Sequence, residues 1–367
     1  MNTEITHTLN AFNNLLPVEE ASMPPGDWYT NEAFYKKEIE NIFKKTWQPV
    51  VRKAELTEAN SYVSGVTFGI PWVITRSDEG NLHAFYNVCS HKGREVVKGC
   101  GKTKNCELVC GYHAWKFKLN GELKSAPQIA GIKNFDRKDM GLIPLNVCEW
   151  GNWIFINGDE SATPFEYHVP ELTTQLDERN MKSLKFHSAK SWVINCNWKV
   201  YIDNYLDGGY HIPYMHPTLD QQLDMSSYDT VLFEKYSVQS SKATSTADSD
   251  LNYNPQERIG AGSIYAWIYP NFMMNLYGNC LDTNYVVPKG TDQCEVFYEF
   301  YYLENESEKF IEESIKQSDI TQIEDIEICE SVQVGLKSGV YRPGRYAPSL
   351  EKGEYHFHQM VKNNLLN

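Results

Sequence analysis

Hydrophobic and polar residues alternate over much of residues 46–160, where short strand-like stretches are separated by turn residues. Two such stretches cover residues 61–77 and 108–123, and turn sequences occur at 78–81 (Asp-Glu-Gly-Asn) and 120–121 (Asn-Gly). Alternation with a period of two is typical of strands that bury one face. The pattern predicts a small antiparallel β domain, preceded by a short helical segment, residues 1–45, packed on the C-terminal domain.

The rest of the chain, residues 161–367, mixes both kinds of pattern. Residues 192–210 begin like a strand and continue like a helix, and residues 262–302 alternate like strands. Residues 306–336 form the clearest amphipathic helix, with the apolar residues Ile311, Ile315, Ile323, Ile326, Cys329 and Val332. The sequence therefore predicts an α+β fold in three parts: 1–45, 46–160 and 161–367.

Charge and composition narrow the class of protein. The net charge is −14 and the isoelectric point is near 5.2, which argues against nucleic acid as a partner, because phosphate binding needs a basic face. An acidic surface suits a cationic substrate or a basic redox partner, and it also serves solubility alone. No apolar run of about 18 residues predicts a membrane span, and the N-terminus lacks the features of a secretory signal. We therefore expect a cytoplasmic protein.

Nine cysteines are scattered through the chain, an odd number that favours metal binding or free thiols over a disulfide framework. Cys89 and His91 are followed, after 18 intervening residues, by Cys110 and His113. Two thiolates and two imidazoles on two hairpin tips suit a [2Fe–2S] cluster with one iron held by histidines. A zinc site accepts the same four side chains. Gly93 and the aromatic Tyr112 and Trp115 beside the pairs favour the cluster, since small residues admit backbone amides to the sulfides and aromatic rings shield them.

A second constellation lies in residues 197–217. His211 and His216 are five residues apart, so on a continuous helix their side chains would diverge by about 140°. Pro213 between them predicts a helix break that lets both imidazoles converge. Two histidines and one carboxylate form the ligand set of oxygen-activating ferrous enzymes. Asp207, four residues before His211, is the first candidate to hydrogen-bond that ring from behind, and Asp203 is the second.

The third ligand is expected from the helix predicted over 306–336. Asp325 shares a stripe with Ile328, Cys329, Val332 and Leu336, so it is predicted to face inward, where a carboxylate needs a partner such as a metal. Glu324 and Glu327 are predicted to face solvent. Glu330 is the alternative ligand.

Together these residues resemble the large (alpha) subunit of the Rieske non-heme iron oxygenases, from about residue 27 to the end. The cluster motifs are similar to the family's CxHRG and CPYHGW, with Lys92, Gly111 and Ala114 where the family usually has Arg, Pro and Gly. Residues 203–216 (DNYLDGGYHIPYMH) are similar to the iron segment of the choline monooxygenase subgroup and its quaternary-ammonium relatives. Further stretches with the same likeness are residues 266–278, 328–336 and 354–360.

The resemblance implies a Rieske antiparallel β domain joined to a helix-grip catalytic domain, with a mononuclear Fe(II) on His211, His216 and Asp325, in a homotrimer. In this family a bridging carboxylate carries electrons from the cluster of one subunit to the iron of its neighbour. It usually lies three residues before the first histidine, which is Gly208 here, so the role is expected to shift to Asp207. A separate flavin and iron–sulfur reductase is expected to deliver NAD(P)H electrons.

The implied reaction is hydroxylation by O2 of a small cationic substrate, with choline to betaine aldehyde as the leading choice. Tyr205, Tyr265, Trp267 and Phe272 are candidates to surround an ammonium group through cation–π attraction. The alternatives within the family are N-demethylation or C–N cleavage of glycine betaine, carnitine or stachydrine, and aromatic-ring dioxygenation. Outside it, an iron–sulfur electron carrier and a zinc-stabilised binding protein are the rival readings.

Overall fold

The computed structural model describes residues 3–244 and 258–366. They form two compact units: residues 43–167, and residues 1–42 together with 168–367. Both contain antiparallel sheets and the second also contains the long helices, so the predicted α+β class is confirmed. The predicted domain limits at 45/46 and 160/161 stay predictions. Within the described residues no helix is long and apolar enough to cross a membrane.

The unit of residues 43–167 is built from ten short antiparallel strands. One sheet has the order β1-β10-β9-β4-β3-β2-β5 and a smaller one has the order β6-β7-β8. The strands are β1 Gln48–Arg52, β2 Ser61–Thr67, β3 Ile70–Arg76, β4 Leu82–Tyr86, β5 Cys100–Lys102, β6 Glu107–Val109, β7 Lys116–Lys118, β8 Leu123–Ser125, β9 Pro144–Trp150 and β10 Trp153–Asn157. Short 3₁₀ turns cover Lys53–Glu55, Arg137–Met140 and Phe165–Tyr167.

Two apolar cores stabilise this unit. One contains β1, β3 and β10 residues such as Ile74 and Ile154, both fully buried. The other contains Phe117 together with Cys89, Cys110 and Trp115. The two predicted cluster thiols therefore lie in packed apolar surroundings.

The other unit is organised around one seven-stranded antiparallel sheet with the order β11-β17-β16-β15-β14-β13-β12. Its strands are β11 Lys185–Ile194, β12 Asp229–Leu232, β13 Tyr236–Lys242, β14 Gly262–Ile268, β15 Phe272–Leu276, β16 Cys280–Pro288 and β17 Cys294–Tyr302. The helices are α1 Thr3–Ala11, α2 Asp27–Thr30, α3 Glu32–Glu38, α4 Pro170–Glu178, α5 Trp198–Leu206, α6 Ile212–Met215, α7 Pro217–Asp220, α8 Glu308–Lys337 and α9 Lys352–Leu366; single turns cover Ile39–Phe43, Met181–Ser183 and Met225–Ser227. Helix α5 packs against α8, α9 and β16.

Helix α8 matches the helix predicted over 306–336, and Ser307 caps it by accepting a hydrogen bond from the Phe310 N–H. The predicted apolar stripe is only partly buried: Ile311, Cys329 and Leu336 are buried, whereas Ile323 is 55% and Val332 45% exposed. The buried face also carries four polar residues: Ser314, Ser318, Gln322 and Gln333. Each of these has a hydrogen-bond partner on another element: Arg258 for both serines, Tyr201 for Gln322 and the Asn197 N–H for Gln333.

Candidate functional site

The two histidines of the second constellation are brought together by a turn between α5 and α6. Helix α5 ends at Leu206, and Gly208 and Gly209 follow with φ of +72° and +77°, a conformation that costs glycine least. The prediction that Pro213 breaks the helix is corrected: Pro213 lies in the first turn of α6, where its missing N–H leaves no bond unmade. The glycine pair reverses the chain instead.

Gly208 also lacks room for a side chain. A Cβ at this position would collide with the Leu350 backbone oxygen. The position three residues before His211, where the family places its carboxylate, is therefore closed to any side chain here. The nearest carboxylate upstream is Asp207.

Asp207 binds this turn with both of its oxygens. Oδ1 accepts hydrogen bonds from the Gly209 N–H at 2.9 Å and the Tyr210 N–H at 3.2 Å. Oδ2 accepts from the His211 N–H at 3.0 Å and lies 2.6 Å from His211 Nδ1. The carboxylate thus fixes the His211 ring and turns its Nε2 away from Asp207.

Three ligand atoms converge in front of these rings. His211 Nε2 lies 3.0 Å from His216 Nε2, and Asp325 Oδ1 lies 3.1 Å from His216 Nε2 and 3.8 Å from His211 Nε2. Glu324 Oε2 lies 2.7 Å from His216 Nδ1, so a carboxylate stands behind each imidazole. Both Nε2 atoms are therefore directed at one point beside a carboxylate oxygen, and the residues fit a ferrous ion with open coordination positions.

Protonation of His216 is linked to this arrangement. Burial acts to lower the pKa of His216, but the Asp325 and Glu324 carboxylates outweigh it and raise that pKa. A metal at Nε2 must displace the proton that these carboxylates favour. Iron binding is therefore expected to weaken as the pH falls.

The remaining carboxylates named from the sequence lie elsewhere. Glu324 was expected to face solvent and instead contacts His216, because the buried face of α8 is not the predicted apolar stripe. Glu330 accepts hydrogen bonds from the Asn195 N–H and side-chain amide, so its carboxylate is not directed at the histidines. Asp203 accepts a hydrogen bond from the Tyr29 hydroxyl and lies beside His358, one helical turn away from Asp207.

A cavity extends from the His211, His216 and Asp325 side chains to one face of the sheet. Tyr205 and Tyr265 line it as expected, but Trp267 and Phe272 do not. Trp267 is fully buried against Phe357, and Phe272 points to the other face of β15 from the cavity-lining Asn275. Trp267 and Phe272 are therefore withdrawn as pocket candidates.

Sequence reasoning missed several lining residues: Tyr228, Gln239, Asn275, Tyr277, Asn284 and Tyr298. Strand pairing explains four of them, because Gln239 pairs with Tyr265, Tyr265 with Asn275, and Asn284 with Tyr298. Directly paired residues share one face of a sheet. The hydrophobic pattern predicts which residues of one strand share a face, but it does not predict the register between neighbouring strands.

The charge of the cavity is one-sided. Asp207 and Asp325 line it, while the described lining residues include no Lys or Arg, and residues 245–257 contain neither type in the sequence. The Arg258 guanidinium lies 4.1 Å from the ring centroid of the cavity-lining Tyr277 and is paired with Asp282 at 2.7 Å. Its charge is therefore balanced behind the tyrosine wall. A bound ferrous ion would offset the two carboxylates, so the attraction of the cavity for cations comes from its tyrosine faces.

The first constellation lies in the unit of residues 43–167. Cys89 and Cys110 are buried, whereas His91 and His113 are exposed with ring centroids 4.6 Å apart. The His91 ring stacks on Trp115 at 4.8 Å. Burial and the neighbouring Cys110 thiol raise the pKa of Cys89, so cluster assembly must release thiol protons. A buried thiol pair beneath an exposed imidazole pair fits a [2Fe–2S] group whose histidine-bound iron faces solvent.

Ala114 has a left-handed backbone, with φ of +55°, at the position where the family usually has glycine. Because alanine is strained in this region, Ala114→Gly is expected to raise the free energy of unfolding by up to about 1 kcal/mol. Loss of the cluster's visible absorbance on heating would measure it. The matched control is the exposed Ala54, which lies in a 3₁₀ turn and has no positive φ. Ala54→Gly is expected to lower the free energy of unfolding. A lower melting temperature for Ala114→Gly would contradict the argument.

Comparison with known proteins assigns both units. Residues 46–136 match the family model for the Rieske [2Fe-2S] domain, and residues 181–366 match that for the ring hydroxylating alpha subunit (catalytic domain). The chain is 38% identical to the chloroplastic choline monooxygenase of Arabidopsis thaliana, over 99% of this chain and 87% of that protein. It is 32% identical to the carnitine monooxygenase oxygenase subunit of Escherichia coli, over 94% of each. A solved quaternary ammonium Rieske monooxygenase, described for carnitine oxidation and inter-subunit electron transfer, superposes with a TM-score of 0.79 at 30% identity, covering 94% of this chain and 96% of that one.

Proposed function

Because this chain belongs to the Rieske non-heme iron monooxygenases, we propose that it hydroxylates choline to the hydrate of betaine aldehyde. The reaction consumes choline, O2, two electrons and two protons, and yields the hydrate and water. The family brings a [2Fe–2S] cluster, which delivers electrons, and a mononuclear iron, which activates dioxygen when bound. Cys89, His91, Cys110 and His113 would hold the first, and His211, His216 and Asp325 the second.

The observation that carries the choice of substrate is the chemistry of the cavity. Five tyrosines and two carboxylates line it, and the described lining has no Lys or Arg. Aromatic faces attract a quaternary ammonium by roughly 0.5–2 kcal/mol each. Carnitine, glycine betaine and stachydrine also carry a carboxylate, whose burial without a cationic partner is costly. Choline carries only a hydroxyl, whose burial needs a hydrogen bond rather than a cationic partner.

The proposed electron route from the cluster to the mononuclear iron passes through Asp207. This carboxylate already contacts His211 Nδ1, so it needs only a cluster histidine on its other side to connect the two metal groups. The similar solved monooxygenase is described for inter-subunit electron transfer, which supports a homotrimer in which a neighbour's His91 or His113 takes that position. A separate flavin and iron–sulfur reductase would supply NAD(P)H electrons to the cluster.

A single-turnover experiment tests the substrate. Protein with about three irons per chain is reduced chemically, mixed with oxygen and separately with choline, carnitine, glycine betaine and stachydrine, and the products are identified by mass spectrometry. Betaine aldehyde from choline, with no product from the three carboxylates, is the expected result. The His216→Ala variant, treated identically, controls for reactions outside the proposed iron site.

Other outcomes would redirect the proposal. Formaldehyde from glycine betaine or stachydrine, or C–N cleavage of carnitine, would move the enzyme to the demethylating or cleaving relatives. No product from any of the four, with the metals present, would contradict a quaternary-ammonium substrate. We also propose a cytoplasmic location, in contrast to the plant relative, which is chloroplastic. Cell fractionation tests this location.

A further inference from the structure

The side-chain amides that line the cavity differ in the hydrogen bonds that they already make. The described lining contains four of them: Asn204, Gln239, Asn275 and Asn284. Gln239 Nε2 donates to the Tyr205 backbone oxygen at 2.7 Å, and Gln239 Oε1 accepts from the Tyr228 hydroxyl at 3.2 Å. Both polar atoms of the Gln239 amide are therefore engaged within the cavity wall.

Asn275 and Asn284 are engaged in the same way. Asn275 Nδ2 donates to Asn284 Oδ1 at 3.0 Å, and Asn275 Oδ1 accepts from the Tyr205 hydroxyl at 2.9 Å. Asn284 Nδ2 donates to the Tyr298 hydroxyl at 2.7 Å. These bonds join the two amides to each other and to the tyrosines, so each amide oxygen already has a donor from the wall.

Asn204 on α5 is the exception. Its Nδ2 donates to Asp325 Oδ1 at 2.7 Å, and because an ionised carboxylate only accepts, the atom at this contact must be the amide nitrogen. In residues 3–244 and 258–366 no donor bonds to the other atom, Asn204 Oδ1. The residue is half-buried and this oxygen is accessible. Among the described lining amides, Asn204 therefore keeps an oxygen that can accept a hydrogen bond from a ligand.

This oxygen belongs to a side chain that is bonded to the proposed iron site. Asp325 Oδ1, which accepts from the Asn204 amide, also lies 3.1 Å from His216 Nε2. A ligand hydroxyl that donates to Asn204 Oδ1 would therefore lie beside the three converging ligand atoms. The carbon that carries the hydroxyl would be close to them as well, and in choline that carbon is the one oxidised in the proposed reaction.

We propose that Asn204 Oδ1 accepts a hydrogen bond from the choline hydroxyl and so presents the CH2OH carbon, rather than an N-methyl carbon, to the proposed iron site. This inference rests on the proposed function and names the residue that selects the oxidised carbon. The ammonium group extends toward the tyrosine faces of the cavity. Asn204 thus supports Asp325 through its nitrogen and binds the substrate through its oxygen.

Anaerobic titration calorimetry on the iron-loaded wild type tests the bond through the ligand. The ligands are choline, O-methylcholine, whose ether oxygen accepts but cannot donate, and ethyltrimethylammonium, which has no oxygen. Choline is expected to bind roughly 3- to 10-fold more tightly than either, the contribution of one hydrogen bond. If O-methylcholine binds as tightly as choline, the protein donates to the oxygen and the proposal is wrong. Equal binding of choline and ethyltrimethylammonium would overturn it as well.

The Asn204→Ala variant tests the residue. Its ratio of dissociation constants for ethyltrimethylammonium and choline is expected to fall to about 1, because the acceptor is gone. An asparagine that only supports Asp325 would change iron content or turnover and leave this ratio at the wild-type value, since both ligands meet the same metal site. An unchanged ratio in Asn204→Ala would therefore overturn the proposal.

Thr321→Val and Tyr277→Phe are the matched controls. Each removes only a hydroxyl from the lining of the same cavity, so each should keep the wild-type ratio of dissociation constants. A ratio of about 1 in either control would assign the choline hydrogen bond to that hydroxyl instead of Asn204.

The products of single turnover with choline give a second readout. Hydroxylation of an N-methyl carbon uses the same O2, electrons and protons, and it releases formaldehyde while the C–N electron pair stays on nitrogen. The formaldehyde share is expected to rise at least about 3-fold in Asn204→Ala, because unanchored choline can turn an N-methyl carbon to the iron. An unchanged share would overturn the selecting role. A wild type that neither binds nor oxidises choline contradicts the proposed function, whereas one that does both, with a binding ratio indifferent to Asn204, contradicts this inference alone.

Discussion

Replacing His216 with alanine is expected to abolish product formation and remove the mononuclear iron while leaving the [2Fe–2S] cluster in place. The His216 ring contributes the nitrogen that lies closest to both other ligand atoms, 3.0 Å from His211 Nε2 and 3.1 Å from Asp325 Oδ1. Its removal also leaves Glu324 without the ring it holds. The loss should exceed the roughly 10–100-fold effect of removing a group that only orients a ligand. Iron per chain, the visible cluster spectrum and single-turnover product measure the three parts.

The matched control is His187→Ala. His187 is an exposed histidine on β11 of the same unit, and its Nδ1 lies 3.0 Å from the neighbouring Ser188 hydroxyl. It should keep iron, cluster and turnover. Full iron content in the His216→Ala protein would remove His216 from the ligand set and leave the proposed iron site without support.

Asp207→Asn is expected to lower turnover by at least about 100-fold, the upper end for a group behind a metal ligand, with iron still bound. Asp207 accepts four hydrogen bonds, two at each oxygen. An asparagine amide has one accepting oxygen and one donating nitrogen, so one N–H pair of this turn must face a donor. The variant therefore disturbs the His211 ring and also removes the negative charge on the proposed electron route.

Glu324→Gln separates these two effects, because Glu324 orients His216 but has no place on that route. After mixing the reduced protein with substrate and oxygen, the Asp207→Asn cluster is expected to stay reduced, whereas the Glu324→Gln cluster should be oxidised at a moderately lower rate. Equal cluster oxidation in both variants would restrict Asp207 to an orienting role.

The parts of the molecule that sequence alone predicted depend on residues close together in the chain. The α+β class and the long helix ending near residue 336 follow from periodicity, and both are confirmed. The contact between Asp207 and His211 followed from their spacing of four, although the chain makes it through a glycine turn beyond the end of α5 rather than along a helix face. The sequence signal for this turn is the glycine pair Gly208 and Gly209, whereas the predicted helix break was based on Pro213.

The parts that could not be predicted depend on residues far apart in the chain. Tyr228, Tyr277 and Tyr298 reach the cavity from separate parts of the chain: strand register places Tyr298 beside Asn284, whereas Tyr228 and Tyr277 lie just outside strands β12 and β15. Asp325 was identified through an apolar stripe of which Cys329 and Leu336 are buried but Val332 is exposed, since polar residues occupy part of the buried face of α8. Glu324 was missed because the polar part of the buried face gives no periodic hydrophobic signal.

The polar contacts of this helix have a mechanical consequence. Apolar packing fixes a helix through the shape of interdigitated side chains and makes no directional bonds. Helix α8 also makes directional hydrogen bonds at four points along its length, through Ser314, Ser318, Gln322 and Gln333. Any shift along its axis would break several at once, and each broken buried bond costs about 1–3 kcal/mol. These hydrogen bonds resist movement of α8 along its axis and thereby fix the position of Asp325 relative to the two histidines.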